Sequence, residues 1–165
     1  MTATEQYIRV LTELKQGDLA LLRRHAGAGL DSSVDALDLF SGLWWPLRRQ
    51  DKTAPRREVA WLVAKLHASV PLPHTPGETL ARQMRRCAAV GGRERDAGRF
   101  DAMLETPLRH LEPLLRRALS AAGSAGLGVD WVRLTNDLSM WERDETRQRW
   151  ADEYIGENER ETPCL

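Results

Sequence analysis

The sequence predicts an all-α fold, and three observations support this prediction. Apolar residues recur every three or four positions along most of the chain, which is the period of an amphipathic helix. No segment alternates between apolar and polar residues for long enough to predict a sheet. The chain has 165 residues, of which 42% are hydrophobic, so it can form a buried core and does not have the composition of a disordered protein.

Four helices are predicted in the N-terminal half. The first runs from about Thr4 to a break at Gly17. The second starts with Asp18 as its N-cap and stops at Gly27, because glycine often follows the last residue of a helix. The third lies within "SSVDALDLFSGLWW" and ends where Pro46 interrupts it. The fourth, "PRREVAWLVAKLHASV", opens with proline at its first helical position.

A loop is predicted at residues 71–77, "PLPHTPG", because prolines and a glycine cluster there. This loop divides an N-terminal helical subdomain, residues 1–70, from a C-terminal bundle of four to five helices, residues 78–156. Residues 157–165 are predicted to form an acidic tail.

The C-terminal bundle begins with "ETLARQMRRCAAVGG", whose Leu80, Met84 and Cys87 share one face while three arginines occupy the opposite face. The Gly-Gly pair ends this helix, and "RERDAGRFDAMLE" begins the next. Pro113 falls inside the following helix, "PLRHLEPLLRRALSAAG". Because an interior proline removes a backbone hydrogen bond, we expect a kink near His110.

The last two helices are predicted to be "DWVRLTNDLSMWE" and "DETRQRWADEYI", capped by Asp130 and Asp144. Four of the six tryptophans lie on or beside apolar stripes and are predicted to be core residues rather than base-stacking groups: Trp61, Trp131, Trp141 and Trp150. For Trp44 and Trp45 the pattern is less clear, and one of them is expected at an exposed contact surface.

Charge is segregated along a chain whose formal net charge is zero. Residues 48–57 and residues 82–99 each carry a net charge of +4, whereas residues 151–165 carry −4. Of the 24 basic residues, 21 are arginine, whose planar fork suits phosphate oxygens better than lysine does. A GC-rich genome would also favour arginine, so its excess over lysine has two explanations. The clustering favours an anionic partner.

No catalytic or metal-binding pattern is present. The four histidines have no metal-ligand spacing, and no phosphate-binding loop or nucleophile motif occurs. The glycine run "GSAGLG" follows a predicted helix and indicates a helix-helix loop rather than a dinucleotide site. We therefore expect no enzymatic activity, no cofactor and no metal.

The sequence predicts a cytoplasmic protein with no membrane contact. The first residues lack the features of a secretory signal, and no apolar run is long enough to span a bilayer. Cys87 and Cys164 are expected to be reduced structural thiols, with a disulfide as the open alternative.

Nearly the whole chain resembles the CasB family, the small subunit of the type I-E CRISPR interference complex called Cascade, and the N-terminal half matches more loosely than the C-terminal half. Two motifs carry the resemblance: an arginine-rich turn leading into R-F-x-x-x-L, and a D-W-x-x-L-x-x-D-L-x-x-W helix. The matching residues of the two motifs are Arg99, Phe100 and Leu104, then Asp130, Trp131, Leu134, Asp137, Leu138 and Trp141.

The resemblance implies an all-α protein without enzymatic activity. Its partners would be the repeated backbone subunit and the large subunit of Cascade, a second copy of itself, the guide RNA, and the target DNA including the displaced strand. Within the complex the chain would hold these nucleic acids and favour the R-loop. That role needs a basic surface which does not read sequence, because base pairing supplies the specificity.

The candidate nucleic-acid-binding residues fall in two sets. The resemblance implies eight arginines of the C-terminal half: Arg82, Arg85, Arg86, Arg93, Arg95, Arg99, Arg109 and Arg143. Charge alone adds seven basic residues of the N-terminal half: Arg23, Arg24, Arg48, Arg49, Lys52, Arg56 and Arg57. Some of these side chains could instead contact neighbouring protein subunits.

Two other functions stay open at this point. One is a stand-alone helical DNA-binding regulator with "DWVRLTNDLSMW" as its recognition helix, although the inward tryptophans and leucines leave few side chains to read bases. The other is a protein-only adaptor whose arginines meet acidic partners.

Overall fold

The structure, a computed structural model, describes the backbone of residues 1–91 and 93–156, and the side chains of the same residues apart from 31 and 89–97. Over these ranges the fold is all-α, as predicted. The described chain forms nine α-helices: α1 (Ala3–Thr12), α2 (Gln16–Arg24), α3 (Val34–Gln50), α4 (Arg57–Ser69), α5 (Leu80–Gly91), α6 (Arg93–Glu105), α7 (Glu112–Ser124), α8 (Trp131–Ser139) and α9 (Asp144–Ile155).

The helices group into two compact units. The N-terminal unit contains Met1–Pro71 together with Trp131–Ser139, so α8 packs with α1 and α4. The C-terminal unit contains Leu72–Asp130 and the chain that follows α8. The sequence division at residues 71–77 leaves α8 with the C-terminal bundle, whereas the contacts of its buried side assign it to the N-terminal unit.

Helix α4 is the centre of the N-terminal unit. Every residue from Val59 to Ala68 is buried, because α2, α3 and α8 all pack against this helix. Two buried polar side chains of this core, Tyr7 and Lys65, have hydrogen-bond partners. The Tyr7 hydroxyl donates to the carbonyl of Ala60 at 2.6 Å, and burial raises the pKa of Tyr7. The ammonium group of Lys65 donates to the carbonyl of Ala28 at 2.8 Å.

His67 is the titratable group whose burial has the clearest consequence for stability. Its ring packs edge-on against Trp131, its Nδ1 atom is buried without a hydrogen-bond partner, and burial lowers its pKa. The unfolded chain therefore takes up this proton at a higher pH than the folded chain. The contribution of neutral His67 to the free energy of unfolding is complete above the pKa of histidine in the unfolded chain, about 6.5. It is lost as the pH falls from there towards the lower pKa of His67 in the folded chain.

We expect His67→Phe, which keeps an aromatic ring against Trp131, to reduce the acid sensitivity of the fold. Between about pH 7 and about pH 5.5 the thermal midpoint of the wild-type chain should fall further than that of the variant. Thermal unfolding monitored by circular dichroism at several pH values measures this difference. An equal fall in both proteins would exclude His67 as the responsible group.

The C-terminal unit is built around α5, which packs against α6, α7 and α9. Trp141 and Trp150 meet edge to face with ring centroids 5.0 Å apart, and Trp141 Nε1 donates to the carbonyl of Thr106 at 2.9 Å. Phe100 and Tyr154 stack with centroids 4.1 Å apart. Trp141 and Trp150 are buried, as are Trp61 and Trp131, and all four were predicted to be core residues.

The loop at residues 71–77 is fixed by the segment that precedes α8. His74 and Val129 form a single β-bridge, and the N–H of Gly77 donates to a carboxylate oxygen of Asp130 at 2.8 Å. A Cβ atom at Gly128 would lie 2.7 Å from the carbonyl oxygen of Pro73. Only glycine allows this close approach of the two backbones.

Several predicted helix boundaries differ from the structure. Helix α4 begins at Arg57 with Arg56 as its N-cap, so Pro55 is not its first helical residue. Asp144 is the first residue of α9 rather than its cap. Helix α2 begins at Gln16, so the predicted break at Gly17 and the predicted cap at Asp18 both lie in its first turn. Helix α3 continues through Pro46. Pro46 has no N–H group to donate to the carbonyl of Gly42, but both residues are exposed, so water can bond to that carbonyl instead. The predicted kink near His110 is a 3₁₀ turn, and α7 restarts at Glu112.

Over the described residues, no helix combines the length and hydropathy that crossing a bilayer would require.

Candidate nucleic-acid interface

Three predicted arginines lie on α5, and Leu80, Ala81 and Ala88 of the same helix are buried. Arg82 donates to the carbonyl of Gly77 at 3.0 Å. Arg86 is exposed and pairs with Glu78. Arg85 is partly exposed and lies against Gly156 at the end of α9.

The other predicted arginines of the C-terminal unit lie on separate elements. The side chains of Arg93 and Arg95 are outside the described residues. Arg99 on α6 and Arg109 on the 3₁₀ turn are exposed, and Arg109 Nε lies 3.2 Å from His110 Nε2. Arg143 is exposed at the N-cap of α9, where the backbone N–H groups of the first turn favour an anion.

In the N-terminal unit, five predicted residues come from one short stretch between the last turn of α3 and the first turn of α4: Arg48, Arg49, Lys52, Arg56 and Arg57. Arg48 Nη1 donates to the carbonyls of Lys52 and Ala54 at 2.7 and 2.6 Å. Arg56 Nη1 donates to the carbonyl of Ser139 at 2.9 Å. Arg49, Lys52 and Arg57 are exposed.

The acid within this stretch, Asp51, is held by its own loop. Its carboxylate accepts hydrogen bonds from the Thr53 hydroxyl at 2.6 Å and the Thr53 N–H at 2.8 Å, and these bonds lower the pKa of Asp51. The carboxylate is thus occupied by Thr53 rather than turned towards a neighbouring arginine. Asp51 is therefore ionised at neutral pH, and the five basic residues outweigh its single negative charge.

The remaining two predicted residues, Arg23 and Arg24, are exposed in the last turn of α2. Arg23 Nε donates to the carbonyl of Ala68 at the end of α4, at 3.1 Å. This bond aligns the guanidinium group with the C-terminal end of a helix, where the backbone carbonyls attract a cation.

Several arginines outside the predicted set pair with an acid three or four positions away. Such pairs among the described residues are Arg9–Glu13, Arg116–Glu112, Arg133–Asp137, Arg147–Asp144 and Arg149–Glu153. Within the predicted set, Arg86 pairs with Glu78, and Arg56 lies 3.9 Å from Glu58. Pairing with an acid and anchoring on a backbone carbonyl can occur at the same arginine, since Arg147 pairs with Asp144 and also donates to the carbonyls of Leu104 and Glu142.

Helices α5, α6, α7 and α9 enclose an apolar groove of about 80 Å³, which we call the arginine groove. Its floor includes Met84, Met103 and Leu114, and two arginines line it, Arg99 from α6 and Arg117 from α7. Sequence reasoning missed Arg117. Arg117 lies three positions after Leu114, so the sequence indicates that the two residues share one face of α7. The sequence does not show that this face lines the groove, because that depends on how four helices pack together.

Among the described residues, no group of three or more histidine, cysteine, aspartate or glutamate side chains could hold a metal ion. Trp45 is 51% exposed, whereas Trp44 is partly buried and donates from Nε1 to the carbonyl of Pro55 at 2.7 Å. One of the two rings is therefore at the surface, as expected from sequence.

Comparison with known proteins identifies the family. The sequence model of the CRISPR-associated protein Cse2 family matches residues 18–154. No significant match was found among curated proteins.

Solved structures with the same fold cover nearly the whole chain. A Cse2-family CRISPR-associated protein from Thermus thermophilus is 29% identical, with a TM-score of 0.74 over 94% of this chain and 99% of its own. CasB from Thermus thermophilus is 26% identical, with a TM-score of 0.73 over the same shares. CasB from M. ruber is 24% identical, with a TM-score of 0.76 over 99% of both chains, and supports the fold.

Because the family match spans most of the sequence and its solved relatives share the fold, the chain belongs to the Cse2 family of CRISPR-associated proteins, the CasB family of type I-E Cascade that its sequence motifs indicated.

Proposed function

We propose that this Cse2-family chain is a non-catalytic subunit of Cascade whose arginine-rich surface holds the phosphate backbones of guide RNA and target DNA, including the displaced strand. In an RNA-guided complex, base pairing reads the sequence, so the protein must bind backbone without reading bases. Strand exchange is nearly balanced in free energy. Even modest backbone contacts with the opened strands would therefore favour the R-loop.

The observation that carries this proposal is the way the predicted arginines are anchored. Four of them donate to backbone carbonyls: Arg23, Arg48, Arg56 and Arg82. A carbonyl oxygen orients a guanidinium group but leaves its positive charge intact, and each such bond uses only one of five N–H donors. An oriented, charged fork is well suited to the oxygens of a phosphate.

A sequence-specific DNA-binding regulator is less favoured. The helix that would have to read bases is α8, and its apolar residues are buried, with Trp131, Leu134 and Leu138 each at most 2% exposed. A recognition helix must instead present side chains to the major groove.

Protein partners would contact exposed side chains of the N-terminal unit. We propose that the repeated backbone subunit, the large subunit and a second copy of the chain contact exposed groups such as Trp45, which is close in sequence to Arg48 and Arg49. Tryptophan and arginine are enriched at the energetically important positions of protein interfaces. Replacing Trp45 would then weaken assembly without changing the salt dependence of nucleic-acid binding.

Neutralising Arg95 and Arg99 tests the phosphate role in the C-terminal unit. In a Cascade complex assembled with Arg95→Gln/Arg99→Gln, we expect weaker nucleic-acid binding and a less stable R-loop. Each lost phosphate contact should flatten the slope of log affinity against log salt by roughly 0.7–0.9. Affinity measured at several salt concentrations gives that slope.

The matched control removes two charges that are not assigned to nucleic acid, in Arg9→Gln/Lys15→Gln. Arg9 is exposed and pairs with Glu13, so this variant should keep the wild-type slope. If Arg95→Gln/Arg99→Gln also kept it while remaining folded, these two arginines would have no phosphate role.

A further inference from the structure

Helix α3 has one face that is exposed along most of its length. Ala36 and Phe40 are buried on the opposite side of the helix. The exposed residues follow one another at alternating intervals of three and four positions, which keeps them on a single line along a helix. They are Asp35, Asp38, Gly42, Trp45 and Arg49, and we call them the α3 face.

Trp45 is the large apolar group of this face, and its ring is held in place. It is 51% exposed and lies against Trp44, with ring centroids 5.9 Å apart. Trp44 in turn stacks on Phe40, with centroids 5.6 Å apart, and donates from Nε1 to the carbonyl of Pro55 at 2.7 Å. A ring supported in this way loses little conformational freedom when a partner covers it.

Gly42 leaves a notch about one helical turn before Trp45. Glycine is less favourable than alanine in the interior of a helix, and Gly42 lies in the middle of α3. A Cβ atom at this position would meet no atom of the described chain within 4 Å, so the packing of its own chain does not require glycine there. A residue without a side chain does, however, allow a large ring from another molecule to approach the helix closely.

The charges of the α3 face are self-complementary. Asp35 and Asp38 lie in its N-terminal half, and Arg49 lies at its C-terminal end. When two α3 helices lie antiparallel with their centre between residues 43 and 44, Asp38 faces Arg49 of the second copy. In the same register Gly42 faces Trp45 of the second copy, so the ring meets the notch. The two-fold symmetry of such a pair repeats both contacts.

We propose that two copies of the free chain pair antiparallel through their α3 faces, with each Trp45 ring over the other copy's Gly42 and each Asp38 beside the other copy's Arg49. The central rings exclude water and supply most of the binding free energy, while the charges at the rim fix orientation and register. Helix α3 has 17 residues and is about 25 Å long, so the interface is small. The pair should therefore be weak, with a dissociation constant on the order of 0.1 mM.

One consequence rests on the proposed function, although the pairing itself does not. The pair covers Trp45 and Arg49, which the proposed function assigns to protein subunits and to nucleic acid, so self-pairing would compete with both. Gly42→Gln keeps every charge and should bind a single-stranded oligonucleotide at least as tightly as the wild-type chain does at concentrations where that chain pairs. Absence of binding by both proteins would count against the proposed function alone.

The tryptophan side chains report the pairing directly. In ¹⁵N NMR spectra recorded without nucleic acid, the indole N–H resonance of Trp45 should move as the full chain is concentrated from about 20 μM to about 1 mM, a range that spans the expected dissociation constant. The resonance of Trp141, which is buried and donates to the carbonyl of Thr106, should keep its position. Sedimentation velocity over the same range should show a shift from one copy to two. A Trp45 resonance and a sedimentation coefficient that are both independent of concentration would overturn the proposal.

Charge reversal tests the register of the pair. Asp38→Arg and Arg49→Asp each place like charges opposite one another when two identical copies pair, so each variant alone should pair about tenfold or more weakly than the wild-type chain. An equimolar mixture of the two variants restores both contacts between opposite charges and should pair about as well as the wild-type chain. Asp101→Arg, which reverses an exposed acid on α6, is the matched control and should pair normally. A mixture that pairs no better than its two components would contradict the proposed register and overturn the proposal.

A side chain placed in the notch separates pairing from stability. In Gly42→Gln the Trp45 resonance should no longer move with concentration, because the added side chain fills the notch. Its thermal midpoint should equal or exceed that of the wild-type chain, since the added atoms meet open space within the described chain and glutamine favours a helix. Unchanged pairing of Gly42→Gln would overturn the proposal. A wild-type chain that does not self-pair, together with a Gly42→Gln variant that no longer enters Cascade, would also overturn it, since the α3 face would then belong to another subunit.

Discussion

Replacing Trp131 with alanine is expected to lower the free energy of unfolding by about 3–5 kcal/mol, the range for truncating a large buried aromatic side chain. Trp131 opens α8, is fully buried, and packs edge-on against His67 with ring centroids 5.2 Å apart. Its removal leaves a cavity beside α4, whose residues are already closely packed. Denaturant unfolding followed by circular dichroism measures the change without relying on tryptophan fluorescence.

Trp45→Ala is the matched control for this substitution. Trp45 is 51% exposed, so the same truncation should cost about 1 kcal/mol or less. Equal losses of stability in the two variants would contradict the assignment of α8 to the core of the N-terminal unit.

Neutralising the exposed residues of the stretch between α3 and α4 is expected to have the second largest effect. In Arg49→Gln/Lys52→Gln/Arg57→Gln, three lost phosphate contacts would flatten the slope of log affinity against log salt by about 2–3. The same relation gives a loss of roughly 50-fold to 200-fold in affinity near physiological salt. Arg48 and Arg56 are left in place because they bond the carbonyls of Ala54 and Ser139.

The conservative variant Arg49→Lys/Arg57→Lys keeps every charge in this stretch. If phosphate attraction is the main contribution, its salt slope should match that of the wild-type chain. A slope unchanged in the neutralised triple variant, with the fold intact, would show that these three residues do not contact phosphates.

The helices and many of the core residues can be predicted from the sequence, because the spacing of apolar residues is a local property of the chain. The spacing of Trp131, Leu134 and Leu138 predicts one apolar side of α8, and all three are buried. The spacing does not show which helices cover that side. The grouping of α8 with α1 and α4 depends on packing between segments far apart in the chain.

The candidate site was predictable only as a set of charges. The two basic stretches are visible in the sequence, but the anchoring of Arg56 on Ser139 joins residues 83 positions apart. Arg117 was missed for the same reason, since it reaches the arginine groove only when α5, α6, α7 and α9 come together. Charge is thus a property of the sequence, whereas the partner of each charge is a property of the fold.

Titrating the full chain with two single-stranded DNAs of about 20 nucleotides and unrelated sequence, at about 20 to 200 mM salt, tests the central claim most directly. If the basic side chains bind only the sugar-phosphate backbone, the two strands should bind with the same affinity within about twofold. Both affinities should also fall steeply, and by the same factor, as the salt concentration rises. A clear preference for one sequence, a flat salt dependence, or no binding at the lowest salt would contradict the claim.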